Sequence, residues 1–373
     1  MPGRLTRIRT AMADAGLDAL LIAAPHEENL GGDTRFYVAG FTGSAGVMVI
    51  TRKRAYFAAD FRYVEQAGIE CVPRGFRVFR SGGAAADWVP RLLAKAGLAG
   101  KKVGITRGDM TYGGFLSLND AVRKMKKKER PQFVPAPPIV KTLRARKDPD
   151  ELALLQRAVD IADTAFSELE GVLRPEMTER EVARRFCENV KAAGGDDISF
   201  DTIVAAGPHS AMPHAQPRDE PIGEGRPLVI DMGARYGRYC SDLTRTVVLG
   251  KPDAKFQEIY EIVFGAQQAA IVGIETGMTG RQADALARDY ITARGYGEQF
   301  GHGLGHGIGL QVHEAPHIGS TAENVLKEGM VFTIEPGIYI PGWGGVRIED
   351  IVILENGKSR VLSHARKTTP AGV

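Results

Sequence analysis

Cysteine is nearly absent from this chain. Three occur among 373 residues, Cys71, Cys187 and Cys240, an odd number at no recognisable spacing. That excludes a disulfide framework and a cysteine-ligated zinc module. Long hydrophobic runs are also lacking: nothing approaches the roughly 20 apolar residues of a membrane-spanning helix, and the opening MPGRLTRIRTAMADAG has no apolar leader core. Charge is nearly balanced at +3, and the densest basic run, RKMKKKER at 123–130, has no interleaved aromatics. It reads as a solvated helix end and not as a nucleic-acid contact. GFTGSAG at 40–46 lacks the lysine of a phosphate loop and the spacing of a dinucleotide loop, so it reads as a tight turn. The expectation is a cytoplasmic protein with neither nucleic acid nor membrane as partner. Histidine is scarce too, eight in all, yet His302, His306, His313 and His317 crowd into GHGLGHGIGLQVHEAPHIGS at 301–320.

What is present suits a two-domain enzyme, since 373 residues exceed what one core usually serves. In the first part, helical patterns (RLTRIRTAMADAG, AAADWVPRLLAKAG) alternate with strand-like runs (DALLIAA, GVMVIT, AYFAAD, KKVGIT, QFVPA). Such alternation predicts an α/β domain over 1–138, ended by the prolines of PQFVPAPP. The second domain, 139–373, reads as α+β. Leu152, Leu155, Val159, Ala162, Phe166 and Leu169 recur at helical spacing, and Thr178 with Glu181 forms a capping-box signature. Further helices are predicted near 254–275 and 280–294, with strands grouped as hairpins.

Two of those hairpins carry acids in pairs. In LVIDMGARYGRYCSDLTRTVV, a turn at Tyr236-Gly237 sets Asp231 opposite Asp242. In MVFTIEPGIYIPGWGGVRIEDIVIL, Glu335 and Glu349 are centred on Gly342 and also face each other. Directly opposed like charges destabilise a ladder. Either pair alone is as consistent with an arginine partner (Arg238, Arg245, Arg347) as with a metal. Two pairs with a histidine-rich loop between them point to metal, because a divalent cation turns carboxylate repulsion into attraction. Four carboxylates and a histidine exceed the needs of one tetrahedral zinc and suit two ions about 3.5–4 Å apart. Oxygen-rich ligation favours Mn²⁺, with Co²⁺ or Zn²⁺ as alternatives.

Aspartates eleven apart, GHGxGHxxGLxxHE, and then EPGIY with GGVRIED resemble the pita-bread metallopeptidases: methionine aminopeptidase, aminopeptidase P, prolidase and the metal-free creatinase. RFYVAGFTGSAGVMVIT resembles the creatinase-type N-terminal domain that methionine aminopeptidases lack. The resemblance implies an α+β pita-bread catalytic domain preceded by a smaller α/β creatinase-type domain, and a homodimer. It implies Asp231, Asp242, His306, Glu335 and Glu349 as ligands of two divalent ions, with Asp242 and Glu349 bridging. It implies His214, His302 and His313 as active-site histidines, and Arg347 and Tyr339 as supports. The expected reaction is metal-dependent hydrolysis before a proline in second position, with Glu335 as proton shuttle. His317 stands where similar prolidases carry an arginine, so the expectation is an Xaa-Pro aminopeptidase, with an Xaa-Pro dipeptidase (prolidase) or a non-catalytic peptide-binding module as alternatives. His26, His209 and His364 match no motif and are expected at the surface; Met177, Met212 and Met330 are expected as packing.

Overall fold

Apolar runs in the first part of the chain build one six-stranded sheet. Its spatial order is Phe76–Arg80, Ala55–Ala59, Val47–Thr51, Ala19–Ala23, Lys102–Thr106 and Gln132–Ala136. The computed structural model describes residues 3–23, 32–108 and 110–367. Val47–Thr51 and Ala55–Ala59 pair antiparallel across the basic turn, and Lys102–Thr106 runs parallel to both of its neighbours. Helices Ala85–Lys95 and Tyr112–Arg123 bury Val89, Leu92, Leu93, Leu118 and Val122 on this sheet.

The chain divides into two units, Met1–Arg144 and Ala145–Val373. The boundary lies beyond the expected position 138. A short helix, Ile139–Arg144, follows the prolines and packs with the helices Arg4–Asp14 and Gly32–Ala39, so it stays with the first unit.

The second unit repeats one design. Helices Pro149–Glu170 and Glu179–Ala192 cover a three-stranded antiparallel sheet, ordered Leu243–Val247, Leu228–Met232, Ile203–Ala206. Their shared core holds Phe166, Phe186, Leu169, Ile230 and Leu243. Thr178 caps the second helix as its spacing predicts: its hydroxyl accepts from Glu181 N, and Glu181 reaches back to Thr178 N at 2.8 Å. Helices Ala254–Gly273 and Gly280–Thr292 likewise pack on the sheet that contains Val331–Ile334 and Asp350–Glu355, around Phe256, Phe332, Ile291 and Val352. The halves join through backbone: Glu349 N donates to Thr244 O, and Thr246 Oγ1 bonds both the N–H and the carbonyl of Arg347.

The register of the first hairpin differs from expectation. Asp231 faces Thr244, not Asp242, because the turn falls on Gly237-Arg238, with φ of 54° and 74°. Two positive φ angles are what a tight two-residue hairpin turn requires, and a non-glycine residue adopts one only rarely. The displacement is two residues, so Asp242 remains on the Asp231 side of the strand pair, as a diagonal neighbour. In the second hairpin, Gly337 pairs with Arg347 and Ile334 with Asp350. Glu335 and Glu349 therefore lie level with each other in a gap between two short ladders of one register.

Candidate metal centre

Strand ends and interruptions carry the acids inward. Asp242 sits where Tyr239–Cys240 gives way to Leu243–Val247, and Glu335 and Glu349 occupy the interruption of their hairpin. His306 is the middle of the three-residue strand Gly305–Gly307. Its flanking glycines answer to crowding. A Cβ on Gly305 would stand 2.0 Å from Thr333 O, and one on Gly307 2.0 Å from Ala315 O. The histidine-rich loop is glycine-rich because neighbouring strands press against it on both sides.

Ligand atoms of Asp242, His306 and Glu349 lie within 4.8 Å of one another. Glu335 joins them, its Oε1 3.3 Å from His306 Nε2, while Asp242 Oδ2 is 3.7 Å from the same nitrogen. Asp231 is held by Arg347, whose NH2 donates to Oδ2 at 2.6 Å. The His313 ring lies against that of His306, tilted by 53° with ring centroids 4.2 Å apart. His214 and His313 are exposed side chains near enough for charge on one to disfavour charge on the other.

Hydrogen bonding fixes the histidine tautomers. A carbonyl only accepts, so His306 Nδ1, 3.2 Å from Gly307 O, carries a proton and Nε2 is turned to the carboxylates, donating to Glu335 when the ring is charged and offering a lone pair to a cation when it is not. His302 Nδ1 likewise donates to Gly303 O at 2.8 Å. Arg347 NH1 donates to Tyr339 Oη at 2.7 Å. Tyr339 must therefore donate its own proton to His302 Nε2, 3.0 Å away. An oriented chain runs from His302 through Tyr339 and Arg347 to Asp231.

The electrostatics call for a cation. Burial, then Glu349, Asp231 and Glu335, pushes the Asp242 carboxyl well above the usual range. Burial, then Glu335 and Asp231, does the same to Glu349. Asp231 is raised by burial, against the pull of Arg347. For Glu335, burial works upward, but the hydrogen bond and charge of His306 outweigh it and hold the carboxyl low. Unit charges about 4 Å apart interact by about 4 kcal/mol at an effective dielectric near 20, so three or four buried carboxylates need protons or a metal. Asp231 Oδ1 and Glu349 Oε1 are buried without a hydrogen-bond partner among the described residues. These bare oxygens, the lone pair of His306 and the oxygen-rich donor set all fit divalent cations.

Several supporting residues carry no motif signal. Thr244 Oγ1 donates to Glu349 Oε2 at 2.7 Å and accepts from Arg347 Nε at 3.1 Å. Thr333 Oγ1 donates to Glu335 Oε1 at 3.2 Å and accepts from His306 N at 3.1 Å. The buried pair Lys147–Glu314, 2.7 Å, anchors the residue after His313. Behind the cluster, Arg245 is fully buried. Its Nε donates to Arg366 O, NH1 to Thr244 O and Glu349 O, and NH2 to Asp350 Oδ1 and Ala365 O. Of the residues expected at the surface, His364 is exposed, whereas His209 is buried with Nδ1 2.9 Å from both oxygens of Glu179. Glu179 accounts for the difference: a buried carboxylate recruits a donor that sequence patterning does not reveal. His26 lies outside the described residues.

Residues 153–356 match the model of metallopeptidase family M24, and residues 4–146 match the creatinase/prolidase N-terminal domain. The chain belongs to family M24, with an α+β pita-bread catalytic domain preceded by a creatinase-type N-terminal domain. It is 40% identical to the uncharacterised peptidase YqhT of Bacillus subtilis, over 98% of both chains. It is 44% identical to an Xaa-Pro dipeptidase of Pyrococcus furiosus, over 68% of this chain and 73% of that one. Among solved structures it is similar to an Xaa-Pro dipeptidase from Bacillus anthracis (TM-score 0.89, 41% identity, 98% of both chains). It is also similar to an X-Pro aminopeptidase from Thermotoga maritima (TM-score 0.86, 34% identity, 98% of this chain and 99% of that one).

Proposed function

We propose that the chain is an Xaa-Pro dipeptidase using two divalent ions, Mn²⁺ foremost. Metallopeptidase chemistry follows from the family; the dipeptidase reading is supported by a structure named as an Xaa-Pro dipeptidase at 41% identity over 98% of this chain, against 34% for the named X-Pro aminopeptidase at the same coverage. Asp231, Asp242, His306, Glu335 and Glu349 hold the ions. Bound cations lower the pKa of water and polarise a carbonyl. Glu335, kept ionised by His306, accepts a proton and returns it to the leaving amine. Burial and then His306 beside it lower the pKa of His313, which donates to the carbonyl oxygen as negative charge develops there, while His214 holds the bound substrate. Arg347 and Tyr339 fix Asp231 and His302.

His313→Ala is expected to reduce turnover by roughly 10²–10³-fold, the usual loss for one oxyanion donor, with metal content unchanged. Elemental analysis beside steady-state kinetics checks both halves of that statement; loss of metal would make His313 a ligand.

A second reading, Xaa-Pro aminopeptidase, is favoured by His317. A dipeptidase recognises the free carboxylate of its substrate, for which a guanidinium fork is the best partner. His317 is exposed and is the register partner of His306 across the short ladder. Comparing kcat/KM for Ala-Pro, Ala-Pro-Ala and a longer peptide decides between the readings. The dipeptidase predicts at least ~10-fold preference for Ala-Pro, since a hydrogen bond to a charged group is worth about 1.5 kcal/mol or more. Equal or better cleavage of the longer peptides makes it an aminopeptidase.

A further inference from the structure

The segment 206–218 carries His214 on an irregular path through the short 3₁₀ helix Gly207–Ala211. Irregular backbone holds a side chain in place only if it is fastened, and here both ends converge on one carboxylate. Glu179, the first residue of its helix, has a side chain only 1% exposed. Its Oε1 accepts from Ala206 N at 2.9 Å, Oε2 accepts from Arg218 N at 2.9 Å and Arg218 Nε at 3.4 Å, and both oxygens lie 2.9 Å from His209 Nδ1. The entry, the middle and the exit of the segment are thus tied to a single group. Its other side lies flush on the strand that bears Arg347. Ser210 Oγ accepts from Gly345 N at 2.8 Å, and a Cβ on Gly345 would stand 2.2 Å from Ser210 O. Arg347 NH1 also reaches Pro213 O at 3.4 Å.

We propose that Glu179, acting through His209 and the segment 206–218, is the positioning residue that sets His214 against the ligand cluster and so governs substrate binding. This rests on the reading of His214 as a substrate-binding residue. A carboxylate suits the task because every group facing it is a donor. A glutamine amide would turn its own N–H groups toward either Ala206 N–H or Arg218 N–H, and one end of the segment would come loose.

The test uses Glu179→Gln, His209→Ala and His209→Asn in the full chain, the asparagine Nδ2 standing where His Nδ1 donates. Glu179→Gln and His209→Ala are expected to raise KM for an Xaa-Pro peptide by ~10-fold, within the range of measured couplings between contacting residues, while kcat changes less than ~3-fold and metal content is unchanged. His209→Asn is expected to stay near wild type. In a His214→Ala background the Glu179→Gln effect is expected to vanish, because the residue acts through His214. Unchanged KM in Glu179→Gln and His209→Ala, an additive double variant, or loss of metal would overturn the proposal. If Glu179→Gln does not fold, the alanine and asparagine variants at His209 decide by the same criteria. Should the wild type cleave no Xaa-Pro peptide, the functional reading fails on its own. Positioning is then judged from the NMR signal of the His214 ring, which must move in His209→Ala and not in His209→Asn.

Discussion

Asp242→Asn is expected to lose at least ~10³-fold in activity, more than the removal of a single oxyanion donor costs, and most of its bound metal. Asp242 lies at the centre of the cluster, sharing a 4.8 Å neighbourhood with His306 and Glu349. The stability effect changes sign with metal. In metal-loaded protein the variant loses the stabilisation that ligand binding gives the folded state, about 2.7 kcal/mol at a hundred times Kd. After chelation the variant should melt higher than wild type, because it has one fewer buried charge against Glu349, Asp231 and Glu335. The pH trend follows from the raised pKa values of Asp242 and Glu349. An acid whose pKa is higher folded than unfolded holds more protons in the folded state. Its contribution is therefore present at low pH and lost as pH rises through the folded value. Chelated wild type should gain stability as pH falls toward the ordinary carboxylate pKa near 4, whereas metal-loaded protein should lose it there as protons displace the ions. Melting curves with and without metal across that range check both; parallel trends would remove the metal reading.

Arg347→Met is expected to destabilise the protein by about 3–5 kcal/mol, the usual cost of stripping one partner from a buried ion pair. For a unit of this size that corresponds to a Tm lower by roughly 6–20 °C. The side chain is buried and serves Asp231, Tyr339 and Thr244 with three different nitrogens. Arg347→Lys keeps the charge, but its single nitrogen lacks the fork. It is expected to recover part of the stability and little of the activity, because Tyr339 is no longer forced to donate toward His302. Calorimetry and kcat on the two variants separate charge from geometry; equal activity in Lys and wild type would show that only the charge matters.

How far the sequence carries can be judged residue by residue. The first-unit strands and the Thr178 cap follow from local patterns, and local patterns are where the physics is local. The Glu335–Glu349 register is legible because PGWGG marks its own turn. The other hairpin slips by two residues because Arg238 adopts a positive φ that its side chain gives no reason to expect. The supports Thr244, Lys147 and Glu179 are ordinary residues in ordinary surroundings along the chain. Thr244 meets Glu349 across 105 residues and Lys147 meets Glu314 across 167. No short-range pattern encodes such meetings; the candidate ligands are announced by motifs, the groups that aim them are not.

Arg245 bears on how the protein is made. Its five N–H groups meet five acceptors, and two of these, Ala365 O and Arg366 O, lie about 120 residues further along. A growing chain holds all five candidate ligands once Glu349 has been added, yet the guanidinium behind them still lacks two partners. A buried donor left unmade costs about 1–3 kcal/mol, so the joined hairpins reach their full stability only when residues 365–366 dock. Closing so long a loop belongs late in folding, when the entropy of earlier contacts has already been spent. Competence to gather metal is thus timed to the arrival of the C-terminal segment, and a nascent chain stalled before it has its ligands without a settled site.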